Sequence, residues 1–256
     1  MNADRSPTGK PPATNEPAEP AASRPLLWDV QHRMRIVFRK DPAVKYISHL
    51  DLLRAWERAI RRAELPLAYS LGFNPHPKIT IAMPLPVGCT GENEVLDIIL
   101  YEPVSELEIT RALDPVMPPG IVVVSAETVE LKSPALATLF VQAVYDIHLV
   151  DIGEKEVERR ITDLLERKTV PVEFRRKQFD LRPLVGSLIL SRVHAPDGAY
   201  PADRGHPADQ GHPLTLRAVL LQDDRGRIGR PDVLMQALGL SEHVRAMHRV
   251  QVLFHT

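Results

Sequence analysis

The sequence predicts an α+β protein built as two ferredoxin-like βαββαβ-type lobes in tandem, and three observations carry that prediction. Strand-type and helix-type hydrophobic periods follow one another in the order β-α-β-β-α-β through the first half. The same grammar recurs from about residue 138 onward. Two helix starts are marked by a serine with an acidic residue three positions on, Ser48 with Asp51 and Ser105 with Glu108.

Residues 1–26 are rich in Pro, Ala, Ser, Asn and Glu and poor in aliphatic side chains. Such a stretch cannot bury enough surface to offset chain entropy, so a disordered tail is expected. The first lobe is expected over 27–132. Met34, Ile36 and Phe38 alternate with charged residues, the mark of a half-buried strand. After Asp41-Pro42, a helix should start at Ser48 and run to about Ala63, before Pro66. Its apolar side reads as Leu53, Trp56, Ile60 and Ala63, with Arg54, Arg58, Arg61 and Arg62 on another. Short strands follow at Leu67–Ser70 and Lys78–Met83, around the turn-rich segment from Gly72 to Pro77. A hairpin through Gly88–Gly91 leads to a strand at Glu94–Leu100, then a helix over Ser105–Leu113 and a strand from Ile121.

The second lobe is expected over 138–256. Strands are predicted at Gln142–Val150, Val172–Arg176, Phe179–Leu181, Leu188–Val193, Leu214–Gln222 and His248–Phe254. Helices are predicted at Glu154–Arg167 and Arg230–Gly239, the latter with Pro231 at its start and Gly239 near its end. Between the two long strands lies a low-complexity loop, 194–213, in which a seven-residue unit is repeated and supplies His206 and His212.

Composition narrows the function classes. The chain has 256 residues, a formal net charge of −1 and one cysteine, Cys89. A single thiol forms no internal disulfide, iron–sulfur site or Cys-based zinc site, so no cofactor of that kind is expected. No apolar run approaches 18 residues and no signal-peptide pattern opens the chain; an intracellular, cytoplasmic protein without membrane contact is expected. The near-neutral charge hides an asymmetry. From Arg33 to Lys78, ten basic residues face four acidic ones, a net +6, whereas from Ile79 to Leu131 the net is −8.

An arginine-rich helix face suits phosphates, because each guanidinium offers a planar fork of donors. Arg54, Arg58, Arg61, Arg62, Lys78 and Arg176 are the expected phosphate contacts; a solvated helix face is the alternative reading. Tyr46, Tyr69, Phe73 and Asn74, in turn-prone positions beside these cations, suit stacking on a base or another planar group. His49, in the first turn of a helix, and His76, between two prolines, are the acid–base candidates if the chain is catalytic. A metal site is not expected, and no P-loop, dinucleotide fingerprint, nucleophile elbow or His-Glu-x-x-His motif is present.

Three segments carry a family resemblance: Tyr46-Ile47-Ser48-His49-Leu50-Asp51-Leu52, Arg58-Ala59-Ile60-Arg61-Arg62-Ala63, and Tyr69-Ser70-Leu71-Gly72-Phe73-Asn74-Pro75-His76-Pro77-Lys78. Met83–Gly88, Phe179–Pro183 and His248-Arg249 continue it. Together they resemble the radical-SAM-linked protein family, whose biochemical activity is not established. The resemblance implies association with a radical SAM enzyme as partner, and the missing Cys-x-x-x-Cys-x-x-Cys motif makes this chain resemble the stand-alone companion. The tandem-lobe element order is also similar, at fold level only, to repeat-associated CRISPR-type RNA-processing proteins, in some of which a histidine near the first helix acts; His49 holds a comparable place. The resulting expectation is a non-catalytic companion that binds RNA or another phosphate-bearing substrate. Two alternatives stand beside it: a metal-independent RNA-processing enzyme using His49 and His76, and a protein–protein scaffold.

Overall fold

The structure is a computed structural model that describes residues 31–192 and 214–255. The expected tail at 1–26 and the repeat with His206 and His212 lie outside the described residues. Strand β1 (His32–Lys40) is followed by helix α1 (His49–Arg62), β2 (Ile79–Ile81), β3 (Cys89–Leu100), α2 (Glu106–Leu113) and β4 (Ile121–Val129). Then come a short helix α3 (Leu136–Leu139), β5 (Phe140–Leu149), α4 (Glu154–Glu166) and the hairpin β6 (Pro171–Phe174) and β7 (Lys177–Asp180). Strands β8 (Val185–Arg192) and β9 (Leu214–Leu221), helix α5 (Pro231–Ala237) and β10 (Val244–Phe254) complete the chain. The α+β class is as predicted.

Local chemistry accounts for the helix starts. Ser48 Oγ accepts from the Asp51 amide at 3.2 Å, and Ser105 and Glu108 close a full capping box in front of α2. The buried stripe of α1 is Leu52, Ala55, Trp56, Ala59 and Ile60, so Leu53 and Ala63 are only partly buried, a one-residue rotation from the expected stripe. Within this stripe Trp56 packs edge-on against Phe38 of β1, ring centroids 5.1 Å apart. The indole N–H of Trp56 is buried and finds no acceptor among the described residues. The expected strand at Leu67–Ser70 consists of two isolated bridges, Leu67 with Leu100 and Tyr69 with Pro77.

All the long strands join one eight-stranded sheet, ordered β4-β1-β3-β10-β5-β9-β8, with β2 paired to β3. Within each half the pairs are antiparallel. The halves meet where β3 runs parallel to β10, with Met247, His248 and Arg249 opposite Cys89, Thr90 and Gly91. Two apolar cores flank this seam. One gathers Met34, Ile36, Phe38, Leu96 and Ile98 under α1 and α2. The other gathers Ala143, Tyr145, Ile147, Leu216 and Ala218 under α4 and α5.

The seam is held by buried charge. Arg249 and Glu94, each with a side chain only 2% exposed, form a bidentate pair. Arg249 also donates to Met83 O at 2.5 Å and to the Tyr145 hydroxyl at 3.3 Å. Because Glu94 is in phase with Leu96 and Ile98 of the first core and Tyr145 belongs to the second, their shared contact with Arg249 places both helix layers on the same sheet face. Lys40, also buried, donates to Lys45 O and Cys89 O, and its burial pushes the ammonium pKa down. Gly91 leaves room for this arrangement: a Cβ there would fall 2.2 Å from Glu94 Oε1.

Candidate functional site

Helix α1 presents its arginines to solvent, as its period requires: Arg54, Arg58, Arg61 and Arg62 are all exposed. They are not equivalent. Arg54 pairs with Asp51 at 3.0 Å and Arg61 reaches Glu57 at 3.9 Å. Arg58 and Arg62, one turn apart, have no hydrogen bond or ion pair among the described residues; Arg58 only adds to the field that lowers the Asp51 pKa, behind the hydrogen bonds from Ser48 and Arg54. Together they line an open cleft of about 340 Å³. Its floor is Ala55 and Ala59, and its far wall is the uncharged segment Pro115-Val116-Met117-Pro118-Pro119 that follows α2. Two unpaired guanidiniums beside an apolar floor can grip a phosphate by their forked donors while a flat, apolar group rests on the alanines.

The remaining expected residues are distributed elsewhere. Tyr46 is exposed just before α1, with Lys45 Nζ 5.1 Å from its ring centroid. His49 lines a small cavity with Lys40, Leu52, Leu85 and Glu94, over the buried seam. The loop of Leu71 to His76 projects between two backbone pairings, Ser70 N to His76 O and Lys78 N to Ala68 O. Phe73 at its tip is fully exposed, and Asn74 and His76 are exposed beside it. Tyr69 is half-buried at the base of this loop, its amide bound by the Tyr101 hydroxyl. Lys78 lines a further cavity near β2. His49 and His76 therefore share no cavity among the described residues. Arg176 sits at the turn of the β6–β7 hairpin in the other half, where Arg175 and Arg176 both take positive φ. Arg182, after this hairpin, donates to Leu165 O and Val185 O.

The match to a known family falls on this region. Residues 33–215 match the family described as an uncharacterized protein conserved in bacteria, DUF2344. The chain belongs to that family. The DUF2344 match takes in α1, the Phe73 loop, the α1 cleft and the cavity at Lys78, and it ends before α5 and β10. Arg249, the hub of the seam, is thus outside the matched span. No curated protein matches the chain.

The sheet face opposite the helices holds polar groups that sequence reasoning did not single out. Thr90 Oγ1 lies 2.7 Å from His248 Nδ1, whose other ring nitrogen is 3.4 Å from Glu92. Thr215 Oγ1 lies 2.9 Å from His148 Nδ1, and burial, the main cause, holds the His148 pKa below its ordinary value. Arg217 clamps Asp146 with two 2.7 Å hydrogen bonds. Period-two alternation marks Asp146 and His148 as sharing a face, but their cross-strand partners lie about 70 residues away in sequence. Among the described residues, no three His, Cys, Asp or Glu side chains come together as a metal site. Nor, among the described residues, is any helix long and apolar enough to cross a membrane.

Proposed function

We propose that this chain is a non-catalytic binding module that holds RNA, or another phosphate-bearing substrate, on helix α1 for a radical SAM enzyme. One observation supports the binding reading above the others: Arg58 and Arg62 stand exposed, one turn apart and without an ion-pair partner among the described residues, beside an apolar cleft. An exposed arginine on a helix of mixed charge normally finds a carboxylate at i±3 or i±4, as Arg54 and Arg61 do. Leaving two cations unneutralised side by side raises the local potential, and a polyanion relieves it. Arg54 and Arg61 widen the track along the helix. Stacking on Tyr46 at the N-terminal end of α1 would add sequence-tolerant affinity.

The companion role rests on the sequence motifs from Tyr46 to Lys78 and on the presence of a single, buried cysteine, which leaves iron–sulfur chemistry to a partner. The tests separate the two parts. Charge reversal of Arg58 and Arg62 should release RNA from the immobilised full chain at moderate salt; full retention by R58E/R62E would remove RNA from the account. Anaerobic affinity purification of the tagged chain from its native host should recover a radical SAM enzyme in near-equal amount. Repeated recovery without one would end the companion reading while leaving the RNA reading intact.

A further inference from the structure

On the sheet face away from the helices, the connection between the two halves folds back and lines a second open cavity of about 420 Å³. Its walls are apolar: Pro77, Ile79, Ile99, Leu131 and Leu136. Its polar lining comes from Arg33, Lys78, Thr80, Asp97 and Ser133. The charges are unbalanced. Asp97 is shared by two guanidiniums, from Arg33 at 2.5 Å and from Arg35 at 3.1 Å. Arg33 is saturated, since it also donates to Ser133 O at 2.6 Å and Pro134 O at 3.1 Å and so pins the connecting segment over the cavity. Among the described residues Lys78, half-buried, meets the neutral Gln31 carboxamide oxygen at 3.0 Å and no carboxylate. Arg35 also reaches Glu127 at 3.7 Å, so three cations meet two carboxylates in the cavity and its immediate shell, and Lys78 carries the excess positive charge beside aliphatic walls.

We infer that this cavity is a binding site for a small organic anion with an apolar body, a carboxylate or phosphate monoester on an aliphatic or aromatic frame, with the anionic end toward Lys78. The volume lies within the range of pockets that enclose small molecules. The apolar walls provide area, while the unmatched ammonium sets orientation and charge. A neutral ligand would leave Lys78 no better paired than it is now. The site differs in residues and sheet face from the α1 cleft and stands independently of the RNA reading. Because Arg33 fixes the segment between β4 and β5, a ligand in this cavity would also brace the connection between the halves.

The test uses the full chain, with octanoate as the anionic probe and octanol as its uncharged counterpart, each displacing 1-anilinonaphthalene-8-sulfonate followed by fluorescence. Octanoate should displace the dye at a single site and bind roughly tenfold or more tighter than octanol, the margin expected of a charge-assisted contact. The variant K78Q, which keeps a long polar side chain, should remove that margin and leave octanol binding unchanged. A second variant, I99E, should abolish dye displacement without changing RNA retention by α1. Equal binding of octanoate and octanol, or an unchanged octanoate affinity in K78Q, would overturn the assignment. Loss of RNA retention in R58E/R62E bears on the α1 reading alone.

Discussion

Replacing Arg249 with methionine removes the hub of the seam while keeping most of its volume. The change leaves the Glu94 carboxylate 2% exposed and without its bidentate partner, and it frees Met83 O and the Tyr145 hydroxyl. Breaking a buried pair from one side costs about 3–5 kcal/mol, because the remaining charge stays desolvated. Lys40 lies close enough for Glu94 to act on its pKa, and this second cation offsets part of the loss. The expected cost therefore falls at the lower end, about 3 kcal/mol, or a drop in Tm of about 6–12 °C for a chain of this size. Urea titration followed by circular dichroism measures it, with the midpoint shift multiplied by the slope. The double variant E94L/R249M should recover most of the loss, since an apolar pair of similar volume often replaces a buried ion pair without cost. A single-variant cost below about 1 kcal/mol, or a double variant as unstable as the two singles added, would refute the role assigned to this pair.

Two further predictions concern titratable groups. Cys89 is fully buried, and burial pushes its thiol up to about 12. The native chain should resist iodoacetamide at pH 7.5 and label only on unfolding, faster in R249M because Cys89 pairs with Met247 beside that residue; rapid stoichiometric labelling of the native chain, read by intact mass, would contradict this. Hydrogen bonds from Arg159 and Arg160 hold the Glu156 carboxyl at about 2, against an ordinary 4.5. With the folded value depressed, its contribution is complete above the unfolded value and is lost as pH falls through about 2. E156Q should flatten acid stability between those values, and acid melting curves identical to the parent chain would count against it.

Most of the element order was legible because short-range chemistry writes it. The serine caps at Ser48 and Ser105 form as their spacing suggests, and Met34, Ile36 and Phe38 face the core as their alternation requires. The rotation of α1 was missed because Leu52 and Leu53 are adjacent and the decisive small residues, Ala55 and Ala59, carry a weak hydrophobic signal. The seam was illegible for a stronger reason. Period-two alternation puts Lys40 in phase with Met34, Ile36 and Phe38 and Glu94 in phase with Leu96 and Ile98, but no local pattern shows how charges there are satisfied: each is the partner or neighbour of a group about 50 to 160 residues away. Joining β3 to β10 depends on that long-range pairing, which no local window contains.

The candidate site was half-legible. The arginine stripe follows directly from helical spacing and is exposed as expected. Which arginines lack an acid within a turn was legible too, since Asp51 and Glu57 stand at i−3 and i−4 from Arg54 and Arg61 while no acid stands so from Arg58 or Arg62; only the absence of longer-range partners among the described residues needed the structure. The apolar wall opposite them comes from Pro115–Pro119, more than 50 residues along the chain. Grouping Lys78 and Arg176 with α1 by charge alone overlooked that Lys78 lines a cavity on β2 and Arg176 turns a hairpin in the other half.

The most direct test of the central claim is a salt series of fluorescence anisotropy with a labelled single-stranded RNA. The full-length chain is compared with R58E/R62E and with K155E/K168E, a control that places the same charge change in the other half. If α1 holds phosphates, R58E/R62E weakens binding at every salt concentration and lowers the slope of log K against log salt by about 1.4, two contacts at about 0.7 each, while the control stays near the parent chain. An equal affinity and an equal slope in R58E/R62E and the parent chain would contradict the account.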